Sequence, residues 1–135
     1  VVYGLQADIA LARQEAGRRG MAVHLMFHPG PQWCYGLSAG IGVDCRQAHA
    51  APGNAVIKVV RGADHAGTTL LEASAMAIDP RNATSLLAEG HARFASPQAG
   101  QQLQVQLGRL GRASVCAPAA PVPSTPACPS AAPAS

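Results

Sequence analysis

The chain carries little charge and very little aromatic surface. Asp, Glu, Lys and Arg make up 13% of its 135 residues, and Phe, Trp and Tyr only 4%. A hydrophobic share of 48% excludes a disordered tail, and a formal net charge of +3 is too weak for a dedicated DNA-binding domain working through bulk charge. No apolar run approaches the ~20 residues a membrane span needs. Neither is there a CxxC pair or a tight Cys/His cluster of the kind that holds zinc. Lysine is nearly missing, with Lys58 beside nine arginines. Acid is missing altogether after Glu89, where Arg93, Arg109 and Arg112 follow. The C-terminal part is therefore locally positive although the whole is mild.

What is present suits one domain with a modest core. Cys34, Cys45, Cys116 and Cys128 form two local pairs. Two short disulfide loops in an oxidising compartment is the simpler reading, each worth roughly 3 kcal/mol on the chain-entropy estimate; free buried thiols are the alternative. The pairs point to an exported protein. No signal peptide is visible, and the chain opens without Met in a helical pattern. A targeting and anchoring segment is therefore expected ahead of Val1.

In "VVYGLQADIALARQEAGRRG", Leu5, Ile9, Ala12 and Ala16 recur every three or four residues. This spacing predicts an amphipathic helix over about 2–19, with Asp8, Arg13 and Glu15 away from the stripe. Arg18 and Arg19 complement the dipole, and Gly20 supplies a left-handed end. "MAVHLMFH" alternates as a strand stopped by Pro29-Gly30-Pro31. Residues 32–54 read as a glycine-rich loop clamped by Cys34–Cys45. Strand signals follow at 55–60, 68–78, 86–95 and 102–107. In 86–95, Glu89, His91 and Arg93 face away from Ala88, Ala92 and Phe94. In 102–107, Leu103, Val105 and Leu107 face the core. The expected fold is α+β, an N-terminal helix packed on antiparallel sheet. It spans residues 1–116, and a Pro/Ala/Ser-rich tail over 117–135 is pinned back through Cys128 to Cys116.

The helix "LQADIALARQEAGRRG" passing directly into a strand, and "ARFASPQAGQQLQVQLGRLGRASVC" with its Gly-Arg turn before a last strand, resemble the FimT/FimU/GspH group. These are minor pilins and pseudopilins of type IV pili and type II secretion systems. The resemblance implies a cleaved leader and a hydrophobic helical half before Val1. That half would anchor the subunit at the periplasmic face of the inner membrane. It would then pack against other pilin subunits in a filament at the surface of a Gram-negative cell. It implies neither an enzyme nor a cofactor.

Four stretches invite chemistry. "GLSAG" (36–40) matches the G-x-S-x-G elbow around Ser38, but glycines follow it where a helix is required, and the chain is too short for that fold. His24, Met26 and His28 share a strand face, yet His24 and His28 would lie ~13–14 Å apart, too far for one metal ion. A bulge, or a partner such as His49, His65 or His91, would be needed. Trp33 and Tyr35 flank Cys34 and either cover the disulfide or offer a subunit contact or stacking platform. "GRLGR" (108–112) is a hairpin turn in which Gly108 and Gly111 are expected at positive φ. In FimT-like pilins that take up DNA, the binding motif resembles Gly-Arg-x-Arg. Here Gly111-Arg112-Ala113 is followed by Ser114 where the second arginine belongs, and Arg109 supplies a second charge from the other side. The expected DNA-binding set is thus Gly108, Arg109, Gly111 and Arg112. Guanidinium offers bidentate donors to phosphate, and two to four such contacts give a salt slope of roughly −2 to −4. The function expected is a minor type IV pilin binding double-stranded DNA non-specifically for natural transformation. The alternative is a subunit that primes pilus or type II secretion filament assembly without DNA.

Overall fold

Helix α1 covers Val2–Arg19 and buries Val2, Leu5, Asp8, Ile9, Ala12 and Ala16, positions that fall on one stripe at 3.6 residues per turn. It ends where Gly20 takes φ 65° and gives its N–H to the Ala16 carbonyl, the left-handed closure that glycine makes cheaply. The structure, a computed structural model, describes residues 1–50, 53, 55–87, 89–96 and 101–129, without the side chains of 49 and 50. Asp8 corrects an expectation. It is 4% exposed, and its carboxylate accepts from the Tyr35 hydroxyl at 2.6 Å and from Lys58 Nζ at 2.7 Å. One helical step separates it from Ile9, so it borders the stripe. Donors from the sheet then satisfy a charge that burial alone would penalise.

Among the described residues eight strands follow: β1 (Val23–His28), β2 (Cys34–Ala39), β3 (Val56–Arg61), β4 (Thr69–Ala73), β5 (Met76–Ile78), β6 (Gly90–Ser96), β7 (Gln101–Leu107) and β8 (Ala113–Cys116). They form two four-stranded sheets, ordered β3-β2-β1-β5 and β4-β6-β7-β8. Every pairing between these strands is antiparallel.

The loop expected over 32–54 is overturned in its first part, because Cys34–Ala39 is an interior strand between β1 and β3. All six of its residues are buried. A strand covered on both faces has no in–out alternation for a period-two pattern to detect. The single strand expected over 68–78 is two, β4 in the second sheet and β5 in the first, with Ser74 and Ala75 carrying the chain between them. The strand expected from residue 86 starts at Gly90. A side chain at Gly90 would meet Met76 Cγ at 2.7 Å. Ala88 lies outside the described residues.

The core joins the helix stripe to Leu25, Trp33, Tyr35, Leu37, Leu70, Phe94, Val105 and Leu107. Trp33 meets Phe94 edge-on at 5.5 Å and donates its indole N–H to the Thr68 carbonyl at 2.8 Å. Disulfides join Cys34 to Cys45 and Cys116 to Cys128. Beyond β8 the chain turns back on itself. Ala117 pairs with Ala127, and the Cys128 N–H reaches the Ala117 carbonyl at 2.9 Å. The tail beyond Pro129 lies outside the described residues.

Candidate functional site: the arginine turn between β7 and β8

Leu107 of β7 pairs with Ala113 of β8, so Gly108 to Arg112 must reverse the chain in five residues. Gly108 donates to the Arg112 carbonyl, and Gly111 to the Gly108 carbonyl, each at 3.0 Å. Positive φ was expected at both glycines; of the two only Gly111 adopts it, at 84°. One left-handed residue suffices to close a loop of this length.

The turn is held from behind by the loop that follows β5. A side chain at Gly111 would lie 1.9 Å from the Ala83 carbonyl oxygen, so only glycine permits this approach. Ser85 gives its N–H to the Arg109 carbonyl at 3.0 Å, and Leu86 gives its own to Ala77 of β5 at 2.8 Å. The turn is therefore tied to the edge of the first sheet while belonging to the second. Arg109 and Arg112 leave it on its solvent side, flanking Leu110, which is 71% exposed.

Charge pairing separates these two arginines from most others. Arg18 and Arg19 bind Glu15, and Arg46 binds Asp44. Arg81 approaches Asp79, Arg93 approaches Glu72, and Lys58 binds Asp8. The Arg18 and Arg46 hydrogen bonds hold Glu15 and Asp44 each down at about 2. Burial, then the bond to Asp8, pushes the Tyr35 hydroxyl above its ordinary range. Arg109 and Arg112 have no acidic partner among the described residues.

Sequence reasoning missed a neighbour. Between α1 and the turn lies a cleft of about 350 Å³, lined by Gln6, Ile9, Ala10, Arg13, Gly111 and Arg112, among others. Gln6 ties the helix to β8 by donating to the Ala113 carbonyl at 3.2 Å. Arg13, assigned from the sequence to the side away from the apolar stripe, is half-buried in this wall. The signal available was its spacing of seven from Gln6, two helical turns on one face. Nothing in the sequence named that face as the one meeting β8.

The other candidates lie elsewhere. Ser38 is 2% exposed within β2, and its hydroxyl donates to the Ile41 carbonyl at 2.6 Å; it occupies a strand rather than a strand-to-helix elbow. His24, Met26 and His28 are half-buried along β1. No metal-holding cluster occurs among the described residues. His65 stacks on Trp33, and His91 bonds Glu72; the side chain of His49 lies outside the described set. Trp33 and Tyr35 are 2% and 1% exposed, so they pack inward and offer no stacking platform.

Compared with known proteins, the chain matches the model of the family described as Type II transport protein GspH over residues 3–111. A search of curated proteins returned no match. Among solved structures it is similar in fold to the type IV minor pilin FimU of Pseudomonas aeruginosa strain PAO1, with TM-score 0.60 and 18% identity. That likeness covers 84% of each chain.

Proposed function

We propose, for a chain that belongs to the GspH family of type II transport proteins, that it is a minor subunit of a type IV pilus which grips double-stranded DNA through its arginine turn during natural transformation. The observation that carries the DNA reading is the pair Arg109 and Arg112. Both are exposed on a turn fixed by Ala83 and Ser85, and neither has an acidic partner among the described residues. A cation already bound to a carboxylate must give up that bond to take a phosphate; these two give up only water and counterions. The turn has no aromatic residue on which a base would stack, so contact with the phosphodiester backbone is favoured and sequence preference is not. Two such contacts make weak binding in one subunit, and several copies on a filament strengthen it by avidity.

Incorporation into the filament runs through α1. Tyr3, Ala7, Ala10, Gln14 and Gly17 are exposed and recur at spacings of four and three. They form a seam of mostly small side chains against which a neighbouring subunit's helix can lie closely. A hydrophobic helical half ahead of Val1 anchors the subunit in the inner membrane before assembly.

The test is a salt titration of duplex DNA binding by the wild type and an Arg109→Gln/Arg112→Gln variant. The expected result is binding that weakens with salt, and a variant whose slope is shallower by about 2. Absence of binding by both at low salt leaves the other reading, a subunit that primes pilus or secretion-filament assembly. Deletion then separates the roles. Intact pili with lost transformation fits DNA uptake, and lost pili fits priming.

A further inference from the structure

We infer that Arg13 of α1 is a third phosphate-binding residue, and that the DNA backbone settles into the cleft between α1 and the turn instead of crossing only the turn's tip. This rests on the DNA-binding reading above. Arg13 and Arg112 line opposite walls of the same cleft of about 350 Å³, one from the helix and one from the turn. The Arg13 Nε–H is shut off from solvent and has no acceptor among the described residues. No carboxylate there pairs with its guanidinium either.

The helix's own acids are committed elsewhere, Asp8 to Tyr35 and Lys58, and Glu15 to Arg18 and Arg19. The cleft thus has a cation on each wall and, among the described residues, no counter-ion of its own, and like charges facing one hollow repel until an anion enters. Its lining is small where an incoming group must fit. Ala10 and Ala113 leave room that larger side chains would fill. A partly dehydrated guanidinium also gives up less hydration than an exposed one when it meets a phosphate oxygen. Arg109, on the same turn, extends the positive surface beyond the cleft. Three guanidinium groups exceed what one carboxylate of a neighbouring protein would neutralise, so a phosphodiester backbone is the better match.

The experiment is the salt dependence of binding to a short mixed-sequence duplex by the wild type and by Arg13→Gln, Arg112→Gln and Arg61→Gln variants. Arg61 is the control. It too has no acidic partner among the described residues, but it lies on β3, the edge of the first sheet opposite β5. Arg13→Gln is expected to bind about five- to tenfold more weakly near 0.1 M salt, with a slope shallower by about 0.9, as for Arg112→Gln. Arg61→Gln is expected to match the wild type. If Arg13→Gln behaves like Arg61→Gln while Arg112→Gln loses affinity, the inference fails and the DNA reading stands. If the wild type binds nothing at low salt, both fail. Self-association that Arg13→Gln abolishes, with DNA binding intact, overturns the inference in favour of a subunit contact. A measurement free of mutation is the Arg13 Nε–H resonance of the wild type during DNA titration. A saturable shift supports the inference, and an unmoved signal overturns it.

Discussion

Gly111→Ala is expected to destabilise the domain by about 3 kcal/mol, whereas Gly108→Ala, in the same turn, is expected to change stability by less than about 0.5 kcal/mol. At Gly111 two costs combine. Its φ of 84° is left-handed, which costs a residue with a Cβ about 1–2 kcal/mol. The added carbon would also stand 1.9 Å from the Ala83 oxygen, 3.0 Å from its carbonyl carbon and 3.3 Å from Thr84 Cα. These are backbone atoms that cannot swing aside, so the loop must shift, and overpacking of this kind costs about 1–3 kcal/mol. At Gly108 φ is not positive and the nearest obstacle is the Arg112 oxygen at 3.8 Å, an ordinary contact. Alanine there restricts the unfolded chain more than it disturbs the folded one. Against a total stability of roughly 5–15 kcal/mol, the first change lowers the melting temperature by about 10 °C. Urea unfolding of both variants, followed by circular dichroism, provides the assay. Midpoints giving stabilities within about 0.5 kcal/mol of each other would refute the claim that the loop after β5 clamps the turn.

Two further outcomes follow from the same contacts. Burial holds the Tyr35 hydroxyl protonated above its ordinary value of 10.0, while the unfolded chain releases that proton near 10. This stabilisation is complete below pH 10 and falls as pH rises beyond it. Urea midpoints across pH 8–11.5 should show a decline that Tyr35→Phe flattens, and equal slopes in both proteins would count against it. Cys116→Ser with Cys128→Ser opens a loop of sequence separation 12 and is expected to cost about 3 kcal/mol. It should also free residues 117–129 for proteolysis, and unchanged protection of that segment would show that the Ala117–Ala127 pairing holds the tail unaided.

Local rules were enough where one physical signal dominated. Gly20 ended the helix as its position after Arg18 and Arg19 suggested, and the alternation of Leu103, Val105 and Leu107 gave β7 its core face. Such rules were silent where tertiary packing set the outcome. β2 is covered on both faces, so Tyr35 and Gly36 are both buried and no alternation survives. The run over 68–78 contains no Gly, Pro, Asn or Asp to mark a break, which conceals the change of sheet at Ser74 and Ala75. Asp8 looks like a solvent residue until Tyr35 and Lys58, 27 and 50 positions away, are brought to it.

The candidate site shows the same division at the level of charge. Arg109 and Arg112 were legible because Gly-Arg-Leu-Gly-Arg is compact and the chain after Glu89 holds no acid. Arg13 was not, since Glu15 stands only two residues further along the same helix and the charges there look locally balanced. In the structure Glu15 turns to Arg18 and Arg19, at 2.7 and 3.0 Å, and Arg13 is left facing the cleft. A net charge of +3 therefore says little about where an anion goes. What matters is which cations the fold leaves unpaired and whether it brings them together. Here Asp8, Glu15, Asp44, Glu72 and Asp79 are each engaged by a cation of their own. Among the described residues, the clustered arginines without such partners are Arg13 of α1 and Arg109 and Arg112 of the turn, so a mildly basic chain can present a locally strong phosphate surface.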